Sequence, residues 1–398
     1  MVVSANHQIT RLPNHQIFCG KLNPMPSRPS DIVVVGAGIV GCAVAYELAR
    51  RGASVQVVDG RAVGMGATQA SAGILAPYIE ADEKNRVMLD LAVRSLQLYE
   101  QFISDVTSDS GVTVAYRRTG TLEVATSDER MAALRNKAAR LDAQGVPLGL
   151  LDGQAARAEE PHLGGDIVGG LLVPVHGFVA AGELTRALAT AARRHGAQLV
   201  EGSHAQRIAE SDGDLVVETG RGSLTGNAVV LAAGSWSGQI AVVGMKASVP
   251  VRPVRGQLLH VAWNGSPLRR VIWSERCYIV PWDDGTLLVG STVEDAGFDE
   301  RTTVAGVRDL LEAACDLVPH AWTASFLEAR AGLRPASADQ LPIIGPSRVL
   351  PNLMYATGHY RNGVLLAPLT AQLVADAMLD NRIDPVLRAT SPQRFGEL

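Results

Sequence analysis

The apolar positions first gather as a short β-branched run, Asp31–Val35, of the kind that forms a parallel strand buried on both faces. Glycines follow, and the apolar residues then spread at helical spacing over Cys42–Arg51, with Gly52 as the stop signal. Ser54–Val58 is a second strand and ends in Asp59. Residues 66–81, small and glycine-bearing, read as a loop passing close to a ligand. Residues 88–103 have the pattern of an amphipathic helix, 119–127 of β structure, and 129–145 of a surface helix ended by Gly145. A helix followed by a strand is expected over 183–202, and a buried strand running into Ala232-Ala233-Gly234 over 227–237. Segments 251–261 and 270–293 alternate apolar and polar residues and predict a large antiparallel sheet. Residues 331–346 read as an irregular loop, and Gly363–Leu379 as a helix. Pro368 falls early enough in that helix for its missing N–H to cost little.

The glycines after the first strand are Gly36, Gly38 and Gly41, in G-x-G-x-x-G spacing. Gly36 permits the tight strand-to-helix turn, Gly38 lets backbone approach a pyrophosphate, and Gly41 lets helix and strand pack closely. The helix N-terminus offers N–H groups and a positive dipole end to phosphates. Asp59 stands 23 residues after Gly36, placed to accept a hydrogen bond from a ribose hydroxyl. Gly220-Arg221-Gly222 repeats part of this spacing, but with no helix after it, so it reads as a hairpin turn. One cradle fits a nicotinamide enzyme, or a flavin enzyme reduced directly by its substrate.

Composition narrows the classes. With 398 residues, 47% of them hydrophobic, the chain can bury a large core as two domains or one large α/β body. Lys plus Arg is 36, Asp plus Glu is 40, and the net charge of −4 favours neither nucleic acid nor an anionic membrane. The four cysteines form no CxxC pair and the nine histidines no metal-ligand cluster, so no metal site is expected. Scattered cysteines read as reduced thiols of a cytosolic protein. The apolar stretch from Ile32 to Tyr46 is shorter than the ~20 residues of a membrane span. Residues 1–30 lack the run of ~7–15 apolar residues of a secretory signal and are expected to be a disordered tail, or an over-called start with initiation at Met25.

Several motifs converge: GAGIVG, ATQASAGIL, VVLAAGSWS, RPVRGQLL, CYIVPWDDGTLLVGST, AGLRPASADQLPIIG and GHYRNGVLLAPLTAQLVAD. Together, over about residues 31–380, they resemble the D-amino-acid oxidase superfamily of FAD enzymes, and within it the glycine oxidases of the thiazole pathway. The resemblance implies an α/β fold in which a Rossmann-type FAD-binding domain is interleaved with a mostly antiparallel-sheet substrate domain. The corresponding division gives the FAD domain residues 31–113, 170–253 and 331–385, the substrate domain 114–169 and 254–330, and a C-terminal tail 386–398. Matched FAD-contacting positions are Ile39 and Val40 in the cradle, Asp59, Gly60, Ala67, Thr68, Ala72, Gly73 and Ile74, with Ala205 where the family usually has valine. His359, Tyr360, Arg361, Asn362, Gly363, Val364 and Leu365 match the loop over the flavin. The GLRP loop holds no cysteine, where the monomeric sarcosine oxidase branch tethers its flavin, so noncovalent FAD is expected.

Tyr278, Arg334 and Arg361 match positions near the substrate. Oxidising an amine at its α-carbon delivers the equivalent of hydride to flavin N5, and the protein supplies orientation and field. An α-amino acid must be held by its carboxylate, which a planar guanidinium does best. Arg334 is the expected clamp, Tyr278 a second donor to the same carboxylate, and Arg361 part of the field around the flavin or of the carboxylate pocket. Taken without the resemblance, Arg334 reads more readily as a surface or salt-bridge residue, and sheet packing stays open as the alternative for Tyr278. His359 and His176 read as packed or turn residues rather than acid–base catalysts. Val293 stands where a glycine oxidase relative has a larger Met, which leaves substrate size open. The implied partners are a small amino acid and molecular oxygen, in a cytoplasmic homo-oligomer, a tetramer by resemblance. Two other readings are a D-amino acid dehydrogenase using another acceptor, and a non-catalytic flavin-binding module.

Overall fold

The computed structural model describes residues 30–79 and 85–398. The tail expected over residues 1–30 lies outside them, apart from Ser30, which opens the first strand. Three sheets organise the described residues.

Ser30–Val35 is the centre of the first sheet, parallel to Val55–Val58 on one side and to Gly222–Leu231 on the other. The second neighbour is long enough to serve two sheets in one: its C-terminal half pairs in parallel with Ser30–Val35 and Leu353–Thr357, while its N-terminal half forms the hairpin with Asp214–Thr219. The turn of that hairpin is Gly220-Arg221, as the sequence predicts. Alternate residues of the central strand face two different cores. Ile32 and Val34 pack with the helices Ile39–Arg50, Arg86–Ser110, Ala181–Arg194 and Gly363–Leu379. Val33 and Val35 pack against the antiparallel strands and the chain end at Leu398. Burial on both faces is what the β-branched run requires.

The second sheet has eight strands and is antiparallel except where Val271–Trp273 runs parallel to Thr121–Ala125. Its edge is Ser325–Ser337, paired along nearly its whole length with Val251–Ala262. This corrects the reading of residues 331–346 as an irregular loop: the strand continues through Ser337, and only the stretch before Ile343–Pro346 is irregular. Gly332 and Pro335 argue locally against a strand, yet an edge strand has no second neighbour to miss a proline N–H. The helix expected over 88–103 is longer, Arg86–Ser110, with the Asn85 side chain accepting from the Met88 N–H and Gly111 closing it at φ 65°.

Pro368 lies inside the helix Gly363–Leu379. Its missing N–H leaves the Val364 carbonyl without an in-helix donor, and the Tyr99 hydroxyl donates to that carbonyl instead. Next to it, the Ser95 hydroxyl donates to the Leu365 carbonyl at 2.7 Å and accepts from the Leu369 N–H at 3.3 Å. The proline is therefore tolerated because a neighbouring helix supplies the lost bond. Among the described residues, no helix is long and apolar enough to cross a membrane.

Candidate active site

One cavity of about 860 Å³ lies between the first and second sheets. That is at the upper end of the ~300–1,000 Å³ typical of ligand pockets. One end is the glycine turn. A Cβ on Gly36, whose φ is +112°, would stand 2.4 Å from the Ala232 carbonyl oxygen, and one on Gly41 would stand 1.9 Å from the Gly36 oxygen. Both positions are closed to any side chain. Gly41 is thus the helix–strand contact that the spacing predicts, and it stays out of the cavity wall. Gly38 faces open space: a Cβ there would have Thr68 Oγ1 as its nearest neighbour, at 3.7 Å, so a ligand can approach the backbone here. Thr68 Oγ1 accepts from the Ile39 N–H at 3.2 Å, and the first helical bond runs from Cys42 N–H to the Gly38 carbonyl at 2.9 Å.

Asp59 comes off the second strand beside this turn. Its two oxygens accept from the N–H groups of Ala37 and Arg61, each at 2.7 Å. Burial pushes its carboxyl above the usual range, and the same two N–H groups pull against that. Gly60, Ala205 and His204 line the wall next to it, with the His204 ring lying directly over Gly60. Ala67, Thr68, Ala72, Gly73 and Ile74 line the middle, where a Cβ on Gly73 would strike the Val179 carbonyl at 1.8 Å.

The other end is the turn Gly358–Gly363. Gly358 has φ +72° and Tyr360 φ +49°, a conformation that costs a bulky residue of order 1–3 kcal/mol. The turn is held by the Tyr360 N–H donating to the Pro335 carbonyl at 2.8 Å and the Asn362 N–H donating to the His359 carbonyl at 2.9 Å. His359, Tyr360, Arg361, Asn362, Gly363, Val364 and Leu365 all border the cavity. The helix beginning at Gly363 makes its first bond from the Leu366 N–H to the Asn362 carbonyl, at 2.8 Å. Its first turn therefore presents N–H groups to the cavity, as the first turn at Ile39 does at the far end. His359 is buried against Thr370, its Nε2 3.0 Å from Oγ1, and burial lowers it to about 3. It is a neutral packed ring. His176 is likewise buried, 2.6 Å from Thr121 Oγ1, and lies outside the cavity wall.

Tyr278, Arg334 and Arg361 meet at this second end. The register explains why: Tyr278 pairs with Gly290 and Trp273 across the second sheet, so Tyr278 and Trp273 stand side by side on one wall, ring centroids 5.1 Å apart. Arg334 leaves the edge strand toward the segment after Gly290. It donates through Nη2 to Ser291 Oγ at 2.7 Å and through Nη1 to the carbonyls of Thr292 at 3.0 Å and Arg255 at 3.4 Å. Burial raises the Tyr278 phenol, opposed by the Ser291 hydroxyl and by the charges of Arg334 and Arg361. Ser291 and Trp273 escape the sequence reading. Nothing in their local pattern marks them, and only the pairing of distant strands brings them here.

The cavity thus has a helix start at each end and an arginine–tyrosine wall at one. Residues 31–377 match the family DAO, FAD dependent oxidoreductase. The chain belongs to this family of FAD-dependent oxidoreductases. It is 36% identical to the bifunctional protein ThiO/ThiG of Nostoc sp. over 90% of this chain and 54% of that protein. The chain thus spans about half the length of the bifunctional relatives it matches. It is 33% identical to the glycine oxidase of Geobacillus kaustophilus over 87% of this chain and 92% of that one. The solved structure of the glycine oxidase from that organism superposes with a TM-score of 0.87, covering 92% of this chain and 99% of that one. An iminodiacetate oxidase structure from Chelativorans sp. BNC1 superposes at 0.82, with 27% identity, 91% of this chain and 98% of that one. As a DAO family oxidoreductase the protein uses FAD, and the cavity fits that group on its own geometry: glycines closed to side chains at the first turn, an acid beside it, and a second helix start at the opposite end.

Proposed function

We propose that the protein oxidises glycine or another small amino acid, sarcosine or D-alanine among them, to the imine. Water then releases the 2-oxo acid and ammonia, or methylamine when the substrate is sarcosine, and the two electrons pass to molecular oxygen as hydrogen peroxide. Bound noncovalently, FAD would supply the two-electron acceptor for this oxidation. Asp59 would hold the adenosine ribose, and the N–H groups of Gly38 and Val40 the pyrophosphate, the Ile39 N–H between them being taken by Thr68. The first turn at Gly363 would face the side of the flavin where negative charge gathers on reduction.

The observation that carries this reading is the placement of Arg334 beside Tyr278 at the cavity end next to the Gly363 helix start. The Thr292 carbonyl and the Ser291 hydroxyl accept from the guanidinium and so orient it. A forked donor next to a phenol binds a carboxylate in two directions at once. It leaves the amine and α-carbon of a small amino acid pointing into the cavity. A neutral substrate amine needs no side-chain base, which agrees with the neutral, buried His359. On the same reading the protein contributes to thiamine thiazole biosynthesis and works in the cytoplasm as a homo-oligomer, a tetramer by the family resemblance.

The test is anaerobic. The FAD-loaded protein is mixed with glycine, sarcosine and D-alanine, and the flavin absorbance band is followed. Loss of the band, then its return with hydrogen peroxide on admitting air, is the expected result. A band that persists with all three would overturn the reading.

A further inference from the structure

We propose that Gly256 and Ser291 are positioning residues that seat the Arg334 guanidinium for carboxylate binding. The inference rests on Arg334 being the carboxylate clamp.

The strand Val251–Ala262 runs antiparallel to Ser325–Ser337, with Val254 opposite Arg334 and Gly256 opposite Gly332. Positions 254, 256, 332 and 334 therefore share one sheet face. Arg334 does not stand away from that face. A Cβ on Gly256 would lie 2.1 Å from its Nη2, 2.3 Å from Cζ and 2.4 Å from Nη1. Three atoms of one guanidinium at nearly equal distance mean that the group lies across the glycine. The space it occupies is the space of the missing side chain. Gly256 sits behind the guanidinium and takes no part in the cavity wall.

Ser291 fixes the same group from the side. Its hydroxyl oxygen accepts from Nη2 at 2.7 Å, and the next carbonyl, Thr292, accepts from Nη1 at 3.0 Å. This segment is pinned from the opposite face of the strand. Thr292 Oγ1 accepts from the Gln257 N–H at 2.8 Å and donates to Glu294, which also accepts from Gln257 Nε2 at 2.7 Å and Arg255 Nε at 3.0 Å. Arg255 and Gln257 are buried, so the anchor is rigid. The guanidinium is thus held between a floor with no side chain and a fixed hydroxyl. The three atoms nearest an added methyl at 256 all belong to the far end of a long, flexible side chain, so strand pairing survives while the charged group is displaced.

The test uses FAD-loaded protein and acetate, a carboxylate with no amine to oxidise, its Kd read from the change in the flavin spectrum. Gly256→Ala and Ser291→Ala are made alone and in an Arg334→Met background. Gly256→Ala should raise the acetate Kd about tenfold or more, and Ser291→Ala severalfold; tenfold corresponds to about 1.4 kcal/mol. Both should raise KM for glycine more than they lower kcat. Neither should change acetate Kd further once Arg334 is gone, which is the signature of acting through it. Unchanged acetate affinity in both variants, or the same fold-change with and without Arg334, would overturn the proposal. If Gly256→Ala does not keep its flavin, Ser291→Ala decides alone by the same cycle. A wild-type flavin that glycine, sarcosine and D-alanine all fail to reduce would overturn the functional reading and this proposal together. Reduction in the wild type with unaltered variants would overturn the proposal alone.

Discussion

Replacing Arg334 by alanine removes the group on which amino acid recognition depends, and the size of the loss follows from its surroundings. Breaking a buried ion pair by deleting one partner costs about 3–5 kcal/mol, because the other charge is left unpaired in a dry site. Arg334 is half-buried, so water partly replaces it and the lower end applies. About 3 kcal/mol corresponds to roughly a hundredfold fall in kcat/KM for glycine. Arg334→Lys should recover only part of this. A lysine supplies a point charge but cannot reach Ser291 Oγ and the Thr292 carbonyl as a flat fork does. The assay compares kcat/KM for glycine with that for ethylamine, which has no carboxylate, in wild type and variant, at saturating FAD. The loss should fall on glycine. A loss of equal size on both amines would refute the reasoning, since Arg334 would then serve the fold or the flavin and not the carboxylate.

Asp59→Ala should weaken FAD binding by about 1.5–3 kcal/mol, the worth of a hydrogen bond to a charged group, with little effect on the rate of flavin reduction at saturating FAD; fluorescence titration of the apoprotein checks it, and unchanged affinity would remove Asp59 from the ribose. Tyr99→Phe should destabilise the fold by about 1–3 kcal/mol in urea, because the Val364 carbonyl beneath Pro368 loses its only replacement donor among the described residues; an unchanged midpoint would show that the bond carries no net stability. His359, lowered from 6.5 to about 3 by burial, gives a pH signature. Below pH 6.5 the unfolded chain takes up a proton that the folded one refuses, so stability falls on acidification by about 1.4 kcal/mol per pH unit down to about pH 3. His359→Asn should flatten the slope of stability against pH by one proton in that window, and an unaltered slope would show that the ring titrates normally.

The part of the site that is legible in the sequence is the part encoded locally. Gly36, Gly38, Gly41 and Asp59 fall within one strand–helix–strand unit, where spacing alone fixes their geometry. The turn at Gly358–Gly363 is legible for the same reason: polar residues between glycines interrupt an apolar stretch. The family resemblance supplies Tyr278 and Arg334, which the cavity brings together, although the segment carrying Arg334 reads locally as a loop. The strand through Arg334 is hidden because its evidence lies 80 residues away, in the register with Val254. Gly256 and Ser291 are beyond reach for a similar reason. A glycine in an alternating strand and a serine after a glycine carry no local sign of what lies across them.

The two helix starts that open on the same cavity have a thermodynamic consequence. Each leaves donor groups and a partial positive charge facing a space that only an anionic or strongly accepting guest can satisfy. Such a guest binds the folded chain and not the unfolded one, so its concentration enters the folding equilibrium as RT ln(1 + [L]/Kd). A hundredfold excess over Kd adds about 2.7 kcal/mol. Melting temperature is then a titration curve for flavin as much as a property of the chain. A substitution at Asp59 loses the two backbone bonds to Ala37 and Arg61 at any flavin concentration, and its further deficit against wild type grows with flavin, from nothing in its absence to a plateau set by the ratio of the two Kd values in excess. One at Tyr99 that leaves flavin affinity unchanged will cost the same at every flavin concentration. Melting each variant across a flavin series separates residues that hold the cofactor from residues that hold the fold.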